Sequence, residues 1–351
     1  MNMNINFPHL GIELEHVGRS ISILGFHITY YGMLIGLALV TGIFITIYFA
    51  VKSRQNIEHY LDLVIGTVLW GVVGARLYYV LFSWDRYQGH FFRIFNLRQG
   101  GLAFYGALMA AVLFTVFYAK RKREKPMRLL DTATVGLIVG QIIGRFGNFF
   151  NRESFGGYTD GLFAMQLPVD AVRTADITEK MREHIVELEG ISYIQVHPAF
   201  LYEMVWNLLI LVLVLLYYKQ KMFEGELFLI YIALYGIGRT WIEALRVDKL
   251  HLPFGNLPIS LIFAVVSAAV SIVLIIHFRK EVERKKQMEK EDSSAESVRQ
   301  RDINRIDCER KTPHRKRQRK AVEGGEFFGK FSCILKGTNS YWTFVYKRNI
   351  I

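Results

Sequence analysis

Residues 28–51 read ITYYGMLIGLALVTGIFITIYFAV, a run that contains no charged side chain. A helix needs roughly 20 mostly apolar residues to cross the hydrocarbon core of a bilayer. The run is long enough for that, and a helix on the surface of a soluble domain would carry polar residues on one face. The stretch therefore predicts a membrane-spanning helix and indicates an integral membrane protein.

Six further apolar segments follow along the chain, each close to the length that a membrane helix needs. They are residues 63–84, 99–119, 129–147, 198–218, 226–244 and 258–277. The composition agrees, since 52% of the 351 residues are hydrophobic and only 21% are charged. We predict an all-α integral membrane protein with seven transmembrane helices.

Basic residues are concentrated in alternate loops between the predicted spans. They are Lys52, Arg54, Lys219, Lys221 and the basic residues within 120–128 and 279–286. Cytoplasmic loops of membrane proteins carry an excess of Lys and Arg. The pattern predicts a multi-pass protein with its N-terminus outside and its C-terminus in the cytoplasm.

The same topology divides the chain into two parts. Residues 1–286 are predicted to form the transmembrane domain, with a small extracytoplasmic cap in the outward-facing loop 148–197. That loop includes Thr174–Glu189, a charged stretch that looks helical. Residues 287–351 are predicted to form a basic, disordered cytoplasmic tail. A basic tail beside a membrane more often touches anionic lipid than nucleic acid, so no nucleic-acid partner is expected.

The two cysteines, Cys308 and Cys333, both lie in this tail. Any thiol chemistry in the membrane must therefore use a cysteine from another molecule. The chain contains no Walker loop, HExxH, GxSxG or CxxC motif, and no spacing typical of a metal site. No metal or cofactor is expected.

The polar side chains within the predicted spans lie at a similar depth in the membrane. Charged groups inside a bilayer are costly and usually face a bundle interior or a wet cavity. With the topology above, the following all lie near the outer leaflet: Tyr31, Arg76, Tyr105, Arg145, Glu203, Arg239, Glu243 and Arg246. Because the topology came from the loops alone, the coincidence indicates a polar site at the outer end of the bundle. Within the sixth span, Tyr235, Arg239 and Glu243 share one helix face at i, i+4 and i+8.

The fourth span ends in GRFGNFFNRESFGG, residues 144–157. If helical geometry continues, Arg145, Asn148 and Arg152 share one face. Converging arginines suit a phosphate, because a guanidinium stays charged and bonds two oxygens at once. Asn148, Asn151 and Glu153 are suited to position the rest of a lipid headgroup, and glycines let the backbone approach a ligand. The cluster predicts a phosphate-binding function.

Structural roles compete with functional ones for several residues. Arg76 fits a snorkelling or structural arginine, Tyr31 an aromatic belt, and His197-Pro198 a helix start. Asp131 fits a helix cap or a partner of a helix dipole.

A lipid transporter or flippase is the competing function, and a non-catalytic scaffold is a third. A transporter predicts polar residues at the midplane and internal repeats; the sequence has neither, which favours an enzyme.

The motif at 144–157 resembles the signature of the bacterial prolipoprotein diacylglyceryl transferases, Gly-Arg-x-Gly-Asn-Phe-x-Asn-x-Glu-x-x-Gly. The match runs through Gly144, Arg145, Gly147, Asn148, Phe149, Asn151, Glu153 and Gly156. Other similar stretches are ITYYGMLIGLAL, GARLYYVLF, GGLAFYGAL, VHPAFLYEMVWNLL and YGIGRTWIEALRVD. The resemblance covers about residues 10–285. It implies seven helices with an outward N-terminus in the bacterial cytoplasmic (inner) membrane.

The resemblance implies a transferase reaction. The diacylglyceryl group of phosphatidylglycerol moves to the lipobox cysteine of a prolipoprotein, which gives a thioether-linked lipid and glycerol 1-phosphate. The implied partners are phosphatidylglycerol and prolipoprotein signal peptides. The expected catalytic residues are Tyr105, Arg145, Tyr235, Arg239 and Glu243. The expected phosphatidylglycerol-binding residues are Tyr31, Arg145, Asn148, Asn151, Glu153, Arg239 and Arg246.

Position 105 departs from many members of that family, which have His where this chain has Tyr105. A tyrosine hydroxyl with an ordinary pKa of about 10 is a poor base at neutral pH. The proton acceptor is therefore left open between Glu243, Tyr105 and the substrate phosphate.

Overall fold

The structure is a computed structural model and describes residues 4–23, 26–89, 91–96, 100–247 and 258–318. Cys333 and the second half of the predicted tail lie outside these residues. The chain divides into two compact units, Met1–Arg279 and Lys280–Ile351.

Helices make up most of the described chain. The long ones are α1 (Tyr30–Lys52), α2 (Ile57–Phe82), α3 (Phe104–Lys122), α4 (Pro126–Asn151), α6 (Ala199–Tyr217), α7 (Glu226–Leu245) and α8 (Ile259–Gln318), and a short α5 covers Glu179–Glu183. Six of them are long and apolar enough to cross a membrane, namely α1, α2, α4, α6, α7 and α8. The prediction of a mainly helical membrane protein is confirmed.

The third predicted span corresponds to α3, which is not among those six. Its last three residues are Lys120, Arg121 and Lys122, so only its first part is uncharged. The length and composition of the helices therefore support six membrane spans, and they do not by themselves identify α3 as a seventh.

Glycine pairs bring two pairs of helices into close contact. Gly42 of α1 faces Gly136 of α4, and Gly74 of α2 faces Gly106 of α3. A methyl group at Gly136 would collide with the carbonyl oxygen of Gly42, and one at Gly106 with that of Gly74. Such close backbone approach is a main source of helix association in lipid, where burial of apolar surface contributes little.

Arg76 anchors the segment between α2 and α3. Its buried guanidinium donates hydrogen bonds of 2.7–3.0 Å to backbone carbonyls, those of Arg93, Ile94, Asn96, Gly100 and Gly101. These bonds use all five of its donors. The structural interpretation of Arg76 is confirmed.

Asp131 caps a helix other than its own. It is almost fully buried in α4 and accepts hydrogen bonds from the backbone N–H groups of Gly225 at 2.8 Å and Phe228 at 3.0 Å. Lys221 lies 3.3 Å from the same carboxylate. The expected capping role is confirmed, and the helix that it caps is α7.

A five-stranded antiparallel sheet forms most of the cap. Its strands, in spatial order, are β2 (Ile12–Leu14), β1 (Ile5–Phe7), β5 (Met165–Pro168), β7 (Ile191–Val196) and β6 (Val186–Leu188). Beneath it lie the fully buried side chains of Ile5, Phe155, Leu167, Met181 and Ile194. A separate hairpin, β3 (Ser20–Ile23) and β4 (Phe26–Thr29), leads into α1. The all-α prediction thus holds for the membrane part and misses the sheet in the cap.

The prediction that Thr174–Glu189 is helical holds for only part of that stretch. Thr174–Asp176 forms a 3-10 turn and Glu179–Glu183 an α-helix, whereas Val186–Leu188 is strand β6, paired with β7 through a turn at Gly190. Gly190 has φ +78, which suits a tight reversal between strands. Pairing with β7 therefore overrides the helical preference of the charged residues.

The described part of the predicted disordered tail is helical instead. Residues 287–318 belong to α8, whose surface there is exposed wherever burial is described. Glu, Lys, Arg and Gln favour helix even without packing, and Lys285 pairs with Glu281 one turn away at 2.7 Å. Low hydrophobicity predicted disorder here, and local helix propensity accounts for the difference.

Candidate active site

Glu203 joins three helices where α4 ends and α6 begins. It is 5% exposed and lies in the first turns of α6. Its Oε1 accepts a hydrogen bond from Arg239 of α7 at 2.6 Å, and its Oε2 lies 2.6 Å from Nε of Arg145 of α4. Arg145 and Glu203 therefore form an ion pair, but the angle between them does not suit a hydrogen bond. Arg246, just after α7, has Nη1 at 3.9 Å from Oε1. The carboxylate of Glu203 therefore lies close to three guanidinium groups.

Glu243 is a second buried carboxylate beside the same arginines. Its Oε2 lies 2.8 Å from Nη2 of Arg239 and 4.0 Å from Nη1 of Arg246. Its Oε1 accepts a short hydrogen bond from Ser260, at the start of α8. The expected shared face of Arg239 and Glu243 on α7 is confirmed.

Glu153 folds back onto the last turn of α4. Its Oε1 accepts hydrogen bonds from the amides of Asn148 at 3.1 Å and Asn151 at 3.3 Å. Arg152 and Ser154 have left-handed φ values of 54 and 58, which reverse the chain directly after the helix. Such a backbone is uncommon outside glycine and persists where the surrounding structure enforces it. The turn thus gathers the polar residues of the motif on one side.

Arg152 does not share a face with Arg145 and Asn148, so that expectation is wrong. The helix ends at Asn151, and the left-handed turn points Arg152 to the carbonyl oxygen of Val17 at 2.6 Å. Burial and the nearby Arg19 lower the pKa of Arg152 to about 10, so it keeps its charge at neutral pH. Arg152 ties the N-terminal segment to the end of α4.

Two glycines of the motif at residues 144–157 form hydrogen bonds with the residues just before α6 and at the end of α7. Gly156 donates to the carbonyl of His197 at 2.9 Å, and Gly157 donates to that of Leu245 at 2.8 Å. A Cβ at Gly156 would lie 2.7 Å from Cβ of His197, so a side chain does not fit there. Burial lowers the pKa of His197, which keeps it neutral, and its backbone bonds confirm the structural interpretation.

Three tyrosines were expected at the site. Tyr31 packs on Gly147, where a Cβ would lie 2.7 Å from its ring. Tyr235 lies beside Arg145. Tyr105 lies in the first turn of α3, and its ring is 6.1 Å from that of Phe263, within range of the charges of Glu243 and Arg239.

The structure therefore brings the expected residues together in two neighbouring groups. One is the cluster of Arg145, Arg239, Glu243 and Arg246, and the other is the turn of Asn148, Asn151 and Glu153.

Sequence reasoning placed Glu203 among the polar residues at the outer end of the bundle but gave it no catalytic or binding role, and it did not single out Ser154 or Ser260. Ser154 accepts a hydrogen bond from Arg246 at 3.3 Å, and Ser260 donates to Glu243. The signal for Glu203 was available, because an ionisable residue in an apolar span indicates a functional site by default. Serines carry no comparable signal.

The cluster is suited to bind an oxyanion. Guanidinium groups bond two oxygens of a phosphate or carboxylate in a fixed geometry, and shielding from water strengthens the attraction. Fold and cluster together define a multi-helix membrane protein with a cluster of arginines and carboxylates where α4 ends and α6 begins.

Comparison with known proteins names the family. Residues 19–277 match the family model described as prolipoprotein diacylglyceryl transferase. Curated relatives named phosphatidylglycerol–prolipoprotein diacylglyceryl transferase include one from Nostoc sp., 37% identical over 64% of this chain and 77% of the relative. Another, from Clostridium botulinum, is 32% identical over 73% and 95%, and one from Bacillus cytotoxicus is 35% identical over 78% and 94%. The chain belongs to the prolipoprotein diacylglyceryl transferase family.

Proposed function

We propose that this chain transfers the diacylglyceryl group of phosphatidylglycerol to the lipobox cysteine of prolipoproteins and releases glycerol 1-phosphate. The observation that carries the proposal is the pairing of Arg145 and Arg239 on one carboxylate, each at 2.6 Å. Two guanidiniums held on neighbouring oxygens of one group are spaced to bind two oxygens of one phosphate.

The reaction is a displacement at the glyceryl carbon that carries the phosphate ester. The thiolate sulfur attacks that carbon, because thiolate is the nucleophilic form of cysteine. A C–S bond forms, the C–O bond breaks, and its electron pair leaves on the oxygen of glycerol phosphate. Arg145 and Arg239 stabilise the charge that develops on this leaving group.

The turn at Glu153 is proposed to bind the glycerol end of the lipid headgroup. Glu153 accepts bonds from Asn148 and Asn151, so all three present polar atoms to one small volume. Hydroxyl groups of a glycerol both donate and accept, which suits amides beside a carboxylate. Tyr31, packed on Gly147, borders the same helix end.

Glu243 is proposed as the acceptor of the thiol proton. Its Oε2 has a charge contact with Arg239 at 2.8 Å that lacks hydrogen-bond alignment. A substrate phosphate that draws Arg239 away frees this oxygen to accept the proton. Tyr105 and Tyr235 then orient the substrates, since an ordinary tyrosine is a poor base at neutral pH.

We also propose that α3 is a seventh span in the bacterial cytoplasmic membrane, with the N-terminus outside and the C-terminus in the cytoplasm. Close packing of Gly106 against Gly74 supports a span that lies alongside α2. Single cysteines at Ser192 and Glu291, in a chain with Cys308 and Cys333 replaced by serine, test the orientation. An impermeant maleimide is expected to label the first in intact spheroplasts and the second only after lysis; the reverse would invert the topology.

The activity is tested with purified protein, phosphatidylglycerol vesicles and a lipobox peptide. A mass gain of one diacylglyceryl group on the peptide cysteine, absent from the cysteine-to-serine peptide, is expected. Phospholipid movement between leaflets without any mass gain would instead favour a transporter.

A further inference from the structure

Glu203 places a negative charge between the two arginines that the proposed function assigns to the substrate phosphate. Its carboxylate oxygens lie 2.6 Å from Arg145 and 2.6 Å from Arg239. Among the residues that the structure describes, the neighbouring acids are held differently. Glu243 contacts Arg239 and Ser260, and Glu153 is held by two amides.

A carboxylate inside an anion site has two opposite effects. It keeps the guanidiniums side by side, since two adjacent positive charges repel each other without it. It also repels each negative charge that a ligand brings, and in a site shielded from water this repulsion is strong. Its effect therefore grows with the charge of the ligand.

The substrate and product of the proposed reaction differ in this respect. A phosphodiester carries one negative charge, whereas a phosphomonoester carries close to two above its second pKa of about 6. Glu203 thus disfavours the leaving glycerol phosphate more than the entering phospholipid.

We propose that Glu203 is a positioning and specificity-determining residue, which aligns Arg145 and Arg239 and makes the site select singly charged phosphodiesters over doubly charged phosphomonoesters. This inference rests on the proposed function. It explains how a cluster of arginines releases its phosphate product after each turnover.

The test replaces Glu203 by glutamine, which keeps the shape of the side chain and removes its charge. The measured quantities are the Michaelis constant for phosphatidylglycerol and the inhibition constant of glycerol 1-phosphate, at about pH 8, where the monoester is doubly charged. In Glu203→Gln the inhibition constant is expected to fall about tenfold or more, with a smaller change in the Michaelis constant and a lower kcat. Glu203→Asp, which keeps the charge, is expected to retain the wild-type ratio of the two constants.

Glu224→Gln is the matched control, because it removes a carboxylate that pairs with Lys125 at 2.9 Å just before α7 begins, whereas Arg239 and Glu243 lie towards the other end of that helix. It is expected to leave both constants unchanged. A merely structural role for Glu203 would lower the yield of folded enzyme without changing the ratio of the constants.

A second measurement needs no variant. The wild-type enzyme is expected to be inhibited more strongly by the singly charged methyl ester of glycerol 1-phosphate than by glycerol 1-phosphate itself. Stronger inhibition by the dianion, or an unchanged ratio in folded Glu203→Gln, would overturn the inference. Absence of wild-type transfer in the same assay would instead overturn the proposed function.

Discussion

Arg239 lies between two carboxylates from different helices. Glu203 of α6 is 2.6 Å away and Glu243 of α7 is 2.8 Å away. Removing one partner of a buried ion pair costs on the order of 3–5 kcal/mol, because the remaining charge is left without compensation. Each charge in the cluster therefore depends on its partners, and in the proposed function a phosphate enters by taking over part of an existing pairing.

Replacing Arg239 by lysine is expected to lower kcat/KM about 10²- to 10³-fold. Lysine keeps the charge but cannot bridge two acceptors in the fixed geometry of a guanidinium. The peptide assay measures this, with Arg173→Lys as the control, since Arg173 pairs on the exposed surface with Asp176 at 3.1 Å. Wild-type kinetics for Arg239→Lys would show that bidentate contacts do not matter.

At the scale of elements, backbone contacts and carbonyl bonds position the site. Gly136 lets α4 lie against α1, and α4 carries Arg145 at its far end. Arg76 fixes the segment that leads into α3, where Tyr105 is found. Residues far from the arginine cluster thus determine where the candidate catalytic side chains lie.

Gly136→Ala is expected to destabilise the protein by about 1–3 kcal/mol, because its methyl group collides with the Gly42 carbonyl. Gly36→Ala, on an open part of α1, is the control and is expected to be neutral or slightly stabilising. Thermal unfolding in detergent measures both. Equal midpoints for the two variants would contradict the close packing of α1 on α4.

Arg76→Leu is expected to release the segment between α2 and α3, since several backbone carbonyls lose their donor at once, at about 1–3 kcal/mol for each one that stays buried. Limited proteolysis should then cut between residues 91 and 101. Arg93→Gln is the control, because only the backbone carbonyl of Arg93 takes part. A protected segment in Arg76→Leu would mean that other contacts hold it.

At the scale of the whole molecule, the catalytic part is expected to end soon after the first compact unit, Met1–Arg279. A chain that ends at residue 286 should insert and keep most of its activity. A chain that ends at residue 278 should be unstable, because it loses Arg279, whose Nε lies 2.6 Å from the fully buried Glu226. Loss of activity in the longer truncation, measured with the peptide assay, would assign a function to the tail.

The sequence predicted the membrane helices and most of the residues that meet in the candidate site, because both depend on local signals. Apolar length identified six of the spans, and charges such as Arg145 and Arg239 stood out against apolar surroundings. The sequence did not predict the sheet in the cap, because β1 pairs Asn6 with Gln166. These residues are far apart in the chain, and no local pattern reveals their pairing. Arg152 was misplaced for a similar reason, since its left-handed turn is enforced by tertiary contacts such as the bond to Val17.

The displacement at carbon is tested most directly with phosphatidylglycerol that carries oxygen-18 between the diacylglyceryl carbon and phosphorus. With a lipobox peptide and the full-length protein, we expect equal amounts of thioether-linked peptide and glycerol 1-phosphate, with the label wholly in the glycerol 1-phosphate. Label retained in a lipid product, or glycerol 1-phosphate released without any thioether, would contradict attack of the thiolate on the glyceryl carbon at this arginine cluster.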